Sequence, residues 1–425
     1  MNATPTNAMP NTSSDFVGPR LYMDNAATSF PKPKAVHEAM MHFATQLGAS
    51  PGRGAYAEAR EAGRLMNQCR ERICKLIGAD VNKPEQMIFT LNTTDGLNIA
   101  IRGIVGHAIA NQTTGHDRPH VITTWMDHNS VLRPFNALTQ SKQIQQTRIP
   151  CDSKTGLVDP SDIIQAIRPN TVLIAVVHGS NVTGTVQPIH AIGQIAREND
   201  IPFLVDAAQT IGHMPINVEA DNIDLLAFPG HKGLLGPLGT GGLYIRPGIE
   251  KRMITTKEGG TGSVSELDSQ PDFMPDRFEP GSHNAIGIIG LSEGVQYILD
   301  KGIDTIWEHE QGLMRMMIEG ISEYGSMPGL NWYGPQGVKH RCGVFSVRVN
   351  GYDQPQTLSD VLEARYGILT RSGIHCAPLA HQTFGTHDLG GMTRFSFGPF
   401  LSVQDVKYAS DALGQICLET QTSVK

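Results

Sequence analysis

Short apolar runs alternate with amphipathic stretches along most of this chain, and that alternation predicts its architecture. Residues 87–90, 120–124, 171–177, 203–205 and 225–228 are short, apolar and followed by polar or glycine-rich turns, as buried strands are. Between them lie helical patterns: 35–47 introduced by Pro31 and Pro33, 57–77, a stretch opened by Asn92-Thr-Thr-Asp-Gly96, and an Ile/Ala-periodic run ending near Asn199. Short strands alternating with helices predict an α/β fold with a mainly parallel, doubly wound sheet. Helices follow at 286–299 and 307–321. Beyond Leu330 the pattern changes to strands at 343–349, 368–371 and 392–397 with helices at 358–365 and 403–418, a smaller α+β domain. The expected division is a disordered Asn/Thr/Pro/Ser-rich tail at 1–19, a large domain at 20–285 and a small domain at 286–425. The first segment of the large domain, a strand-like run at 21–28, can pack on the small domain.

Composition narrows the class. The chain has 425 residues, 40% hydrophobic and 18% charged, enough for a sizeable core. Its formal net charge of -7 argues against a nucleic-acid or anionic-membrane surface. No apolar run approaches the ~18 residues of a membrane span, and the tail lacks the basic and apolar regions of a signal peptide. Six cysteines without a Cys-x-x-Cys pair read as reduced thiols of a cytoplasmic protein, with neither a disulfide framework nor a metal site.

Candidate chemistry gathers after the predicted strands, at their carboxyl ends, where doubly wound folds bind ligands. The turn Pro229-Gly-His-Lys232 follows one strand and leads into a glycine-rich loop. A lysine held there and partly buried has a lowered pKa, and the neutral amine attacks carbonyls; the alternative is a solvated loop lysine. No P-loop spacing is present. Thr93 or Thr94 is a natural helix N-cap, and such a terminus is equally a phosphate site. His128, Asn181, Asp206 and Gln209 stand after other strands. Cys376 lies in a Gly/Pro-containing loop between Arg371 and Arg394 with His375 beside it, a setting that favours the thiolate.

Asp206-x-x-Gln209, Gly-His-Lys232 and Ser180-Asn-Val-Thr-Gly-Thr185, in this order and spacing, resemble the class V (fold type I) aminotransferase family. Thr93-Thr94, His128 and the Arg371-x-x-x-x-Cys376 loop resemble more narrowly the cysteine desulfurase and selenocysteine lyase branch with a short cysteine loop. The resemblance runs from about Tyr22 to Leu418. It implies a large domain that binds pyridoxal 5'-phosphate, with Lys232 bonded to the cofactor and shuttling the substrate α-proton. Asp206 would pair with the pyridine nitrogen and keep it protonated, and His128 would stack on the ring. Gln209 and Asn181 would contact the phenolic oxygen, Asn181 also lying near the substrate carboxylate. Thr93, Thr94 and His231 would hold the phosphate, and Ser282 would reach the phosphate of the other subunit of a homodimer. Arg394 would clamp the substrate carboxylate, with Arg371 a further candidate for that pocket. Cys376 would take sulfur from L-cysteine as a persulfide, leaving L-alanine, and pass it to a thiol acceptor, often a dedicated protein. A selenocysteine lyase shares almost every residue, whereas another class V aminotransferase, lyase or epimerase needs no Cys376. One position departs from the pattern: Pro229 replaces a serine that helps bind the phosphate, and proline offers neither hydroxyl nor amide hydrogen.

Overall fold

A seven-stranded sheet carries the larger core. In spatial order its strands are Met87–Thr90, Gly241–Ile245, Leu225–Pro229, Phe203–Asp206, Thr171–Val177, His120–Thr124 and Gln145–Ile149. Only Gly241–Ile245 runs against its neighbours; the rest are parallel. The central strands are buried along their length, which is why they read as unbroken apolar runs. Gln145–Ile149, sequence Gln-Gln-Thr-Arg-Ile, is half-buried at the sheet edge. Its polar composition hid it from an apolar-run criterion. The computed structural model describes residues 8–9, 18–52, 54–113, 115, 117–323 and 329–422.

Both faces of the sheet are covered. Ala57–Leu76 and Ala285–Lys301 join one apolar core with Ile174, Val176, Phe203 and Phe228. Thr93–Ala110 and Asn129–Gln140 cover the other face with Leu173, Leu204, Leu225 and Leu243. By packing, Ala285–Lys301 therefore belongs to the large core, although its sequence position had placed it at the start of the small domain.

A second core lies around the antiparallel sheet Leu330–Trp332, Val344–Val349, Met392–Ser396, Arg371–Gly373. Helices Ile303–Glu323, Pro355–Tyr366 and Val403–Thr422 back it through Leu313, Leu358 and Leu413. Arg20–Tyr22 pairs in parallel with Ile368–Leu369, and Leu21 and Met23 enter this core. The segment at Arg20–Met23 thus packs with the second core, and the residues after it lead to the large one. Within the segment expected to be a structureless tail, Ala8–Met9 pairs with Arg20 and Leu21; the remainder of 1–17 lies outside the described residues.

A buried ion pair fixes the segment leading into Ala285–Lys301. Arg70 donates to both carboxylate oxygens of Glu279 at 2.7 Å, and Glu279 also accepts from the amide of Phe89. The two side chains are 8% and 3% exposed. Without Arg70, Glu279 keeps only the Phe89 amide and the His283 ring, whose Nε2 lies 3.2 Å from its carboxylate, so Arg70→Met is expected to destabilise the protein by about 3 kcal/mol. Urea denaturation of the two proteins checks this; equal midpoints would show that the pair contributes nothing.

Candidate active site

Lys232 follows the strand Leu225–Pro229 in a turn that the N-terminal crossover grips. The carbonyl of His231 lies 3.0 Å from both the Ser29 amide and Thr28 Oγ1, and 2.8 Å from Lys32 Nζ. Ser29 Oγ is 2.8 Å from the carbonyl of Lys232. Gly230 is obligatory here, because a Cβ would stand 2.1 Å from Thr240 Oγ1. The result is a half-buried amine on a rigid turn. Burial first, and then the charge of Arg394, push the Lys232 pKa down to about 8. The solvated-loop alternative is excluded by this burial.

Lys232 lines a cavity of ≈ 140 Å³ together with Thr93, Thr94, His128, Ser130, Asn181, Asp206, Gln209, Pro229 and His231. Nearly every sequence-predicted cofactor residue therefore meets in one place. Asp206 ends its strand, is 2% exposed, and accepts the Ala208 amide at 3.0 Å. Burial pushes its carboxyl up to about 6, against the pull of Lys232. A buried carboxylate so placed calls for a cationic partner. Gln209 is fixed by donating to the Ala26 carbonyl at 3.0 Å.

His128 is the N-cap of Asn129–Gln140, and its Nδ1 accepts the Ser130 amide at 3.1 Å. That bond leaves the proton of the neutral ring on Nε2. Burial first, then Lys232, Arg133, Arg371 and Arg394, push its pKa down to about 4, so the ring is neutral at pH 7. Next to it Asp127 is wholly buried and accepts Thr123 Oγ1 and the Thr124 amide, both at 2.7 Å, and the Val177 amide at 2.7 Å. These bonds tie the His128 turn to two strands. The helix that follows Asn92 is capped by the Asn92 side chain, which accepts the Asp95 amide at 3.0 Å; Thr93 and Thr94, the expected caps, are its first helical residues. Capping by Asn92 leaves the threonine hydroxyls facing the cavity, where Thr94 Oγ1 lies 2.7 Å from Ser130 Oγ.

Cys376 is the exposed member of the six cysteines. It occupies a tight turn in which the Ala377 amide returns to the Ile374 carbonyl at 3.1 Å, with His375 and Cys376 at φ 52 and 59. Two consecutive non-glycine residues in the left-handed region cost about 1–2 kcal/mol each, and such strain collects at functional sites. The turn is held by Asn181, whose Nδ2 donates to the His375 carbonyl at 2.6 Å, and by the Asn129 amide, which donates to the Cys376 carbonyl at 2.8 Å. Arg394 is 1% exposed, donates to Asp24 Oδ1 at 2.6 Å and to the Asn181 carbonyl at 3.0 Å. Arg371 stands directly opposite Arg394 across the antiparallel pair. Like charges facing each other in this way are destabilising, and the Asp24 carboxylate on Arg394 offsets the repulsion.

Buried polar atoms without partners mark where a ligand would complete the site: His231 Nδ1, Asn181 Oδ1 and Arg394 Nε. Helix-terminal hydroxyls, His231, a buried acid and a low-pKa amine lining one cavity fit a phosphorylated, carbonyl-bearing cofactor with a basic ring nitrogen. Ser282 is not brought to this cavity; it is exposed and lines a separate recess with Thr261 and His283. Sequence reasoning missed Asp24, Lys32, Asp127 and Ser130. The His128-Asn-Ser130 run carries a helix-cap signal that could have flagged Ser130; nothing local marked the others. Among the described residues no His/Cys/Asp/Glu cluster could hold a metal ion. No helix among them is long and apolar enough to cross a membrane.

Fold and site together define an enzyme built on a lysine amine, and the comparisons give its family. The chain belongs to the aminotransferase class-V family, which matches residues 21–409. A probable cysteine desulfurase of Methanothermobacter thermautotrophicus is 33% identical over 401 residues, covering 93% of this chain and 94% of that protein. One from Pyrococcus abyssi is 31% identical over 410 residues, 95% of this chain and 96% of its own length. Among solved structures, the apo cysteine desulfurase of Thermococcus onnurineus NA1 superposes with a TM-score of 0.83 at 32% identity, covering 94% of this chain and 95% of that one.

Proposed function

We infer that this protein is a pyridoxal 5'-phosphate-dependent cysteine desulfurase that converts L-cysteine to L-alanine and leaves the sulfur as a persulfide on Cys376. One observation carries the reading. Thr94, His128 and Ser130 line both the Lys232 cavity and the recess that contains Cys376, so the amine and the thiol stand in adjoining cavities with three side chains in common. A lyase or epimerase built on Lys232 alone has no use for a strained, tethered cysteine there.

The residues divide the work. Thr93, Thr94 and His231 would hold the phosphate, and Ser130, whose hydroxyl lies 2.7 Å from Thr94 Oγ1 in the same cavity, would stand in for the hydroxyl that Pro229 lacks. Asp206 would keep the ring nitrogen protonated, His128 would lie against the ring, and Gln209 and Asn181 would meet its phenolic oxygen. When bound, the cofactor supplies an electron-withdrawing ring that makes the substrate α-proton acidic and the β-carbon–sulfur bond breakable. Lys232, neutral in a useful fraction near pH 8, takes the α-proton at Nζ and returns it. Arg394, with Arg371 opposite it, orients the substrate carboxylate. The Cys376 thiolate attacks the substrate sulfur; a sulfur–sulfur bond forms, the carbon–sulfur bond breaks, and its electron pair stays with carbon, which is protonated to give alanine. Ser282, exposed and outside the lining of its own Lys232 cavity, fits contact with the phosphate of a second subunit in a homodimer.

Purified protein supplied with pyridoxal 5'-phosphate, L-cysteine and excess dithiothreitol is expected to release alanine and sulfide in equal amounts. Rates on L-cysteine and L-selenocysteine, measured side by side, decide between the desulfurase and lyase activities. Absence of alanine from L-cysteine, in protein that binds the cofactor, would overturn the assignment.

A further inference from the structure

The Lys232 cavity adjoins a wider recess of ≈ 400 Å³, within the ~300–1,000 Å³ range of small-ligand sites. Cys376, Arg102 and Arg133 all line it. Both arginines are exposed, and no aspartate or glutamate lines the recess. Arg102 is steadied by Asn98, whose Oδ1 accepts its Nε–H at 3.2 Å. Among the described residues Arg133 forms no ion pair, and its charge reaches His128 on the cavity side. This local excess of positive charge stands in a chain of formal net charge -7. Neither arginine is needed for the chemistry at Lys232.

We propose that this recess recognises the sulfur acceptor, and that the acceptor is a low-molecular-weight thiol carrying carboxylate or phosphate groups. The inference rests on the desulfurase reading. The acceptor thiolate attacks the outer sulfur of the Cys376 persulfide; its new sulfur–sulfur bond replaces the one in the enzyme, and Cys376 leaves as the thiolate. The acceptor departs as a persulfide and no external oxidant or reductant is consumed. The arginines hold the anionic end while the acceptor sulfur faces Cys376, and they raise the local concentration of anions at the mouth.

Two measurements test this, the first independent of turnover. Alkylation of Cys376 by anionic iodoacetate and neutral iodoacetamide, followed by peptide mass spectrometry, gives a rate ratio for wild type and for Arg102→Gln/Arg133→Gln. The ratio is expected to fall about fivefold in the double variant and to fall with added salt in wild type. Equal ratios in the two proteins would overturn the proposal. In the second, alanine formation from L-cysteine is driven by mercaptosuccinate or by neutral thioglycerol. The kcat/KM preference for mercaptosuccinate is expected to drop by a similar factor in the double variant, and an unchanged preference counts against acceptor recognition here. If wild type makes no alanine with either thiol, the desulfurase reading itself fails, and the alkylation ratio then reports the recess alone.

Discussion

Lys232→Ala is expected to lower alanine formation from L-cysteine by at least about 10³-fold, because it removes both the cofactor's covalent anchor and the group that moves the α-proton. The same amine should show its depressed pKa without any cofactor. In apoprotein, reductive methylation by formaldehyde and cyanoborohydride, read by peptide mass spectrometry, should be half-maximal for Lys232 near pH 8. The sign follows from the cause: burial disfavours the ammonium, so the reactive neutral form is present at lower pH than for an exposed lysine. At pH 7 about a tenth of Lys232 is neutral, against less than about a thousandth of a surface lysine. Lys32 supplies an internal comparison, since burial pushes its pKa down to about 7 and its Nζ is engaged by Ser29 and the His231 carbonyl. A Lys232 profile centred near that of a surface lysine would remove the physical basis for its role.

Cys376→Ala and Cys376→Gly are expected to lose at least about 10²-fold of the desulfurase rate, about 2.7 kcal/mol of transition-state stabilisation. Their stabilities should part company with their activities. Position 376 sits at φ 59, where glycine is unstrained and an L-residue is not. Relief of about 1–2 kcal/mol of left-handed strain offsets the entropy glycine adds to the unfolded chain. Cys376→Gly should therefore be at least as stable as wild type in urea while being inactive. Persulfide on Cys376, detected by mass spectrometry after exposure to L-cysteine, should appear in wild type and in neither variant. Full alanine production by Cys376→Ala would make the thiol a bystander and point to a lyase that releases sulfur directly.

Much of the fold was legible because its strands are buried on both faces and so carry unbroken apolar runs; 87–90, 120–124 and 171–177 match the observed strands residue for residue. Gln145–Ile149 was not legible, since an edge strand needs no apolar run. The helix cap fell to Asn92 rather than a threonine because only the structure shows which side chain reaches the Asp95 amide.

The sequence by itself determined the kinds of chemistry present and their order along the chain: an acid and an amine after apolar strands, a thiol in a glycine-containing loop, and arginines at the start of that loop and within the strand beyond it. Tertiary structure decided what those groups are. It placed Lys232 in a cavity where lost hydration, and then the charge of Arg394, make it a usable base. It set Arg371 against Arg394 through strand register, and joined Arg394 to Asp24 from the far end of the chain. It also put Cys376 in a left-handed turn held by Asn181, in a recess that shares Thr94, His128 and Ser130 with the Lys232 cavity. Burial, register and long-range hydrogen bonds depend on residues distant in sequence, and a local pattern does not contain them.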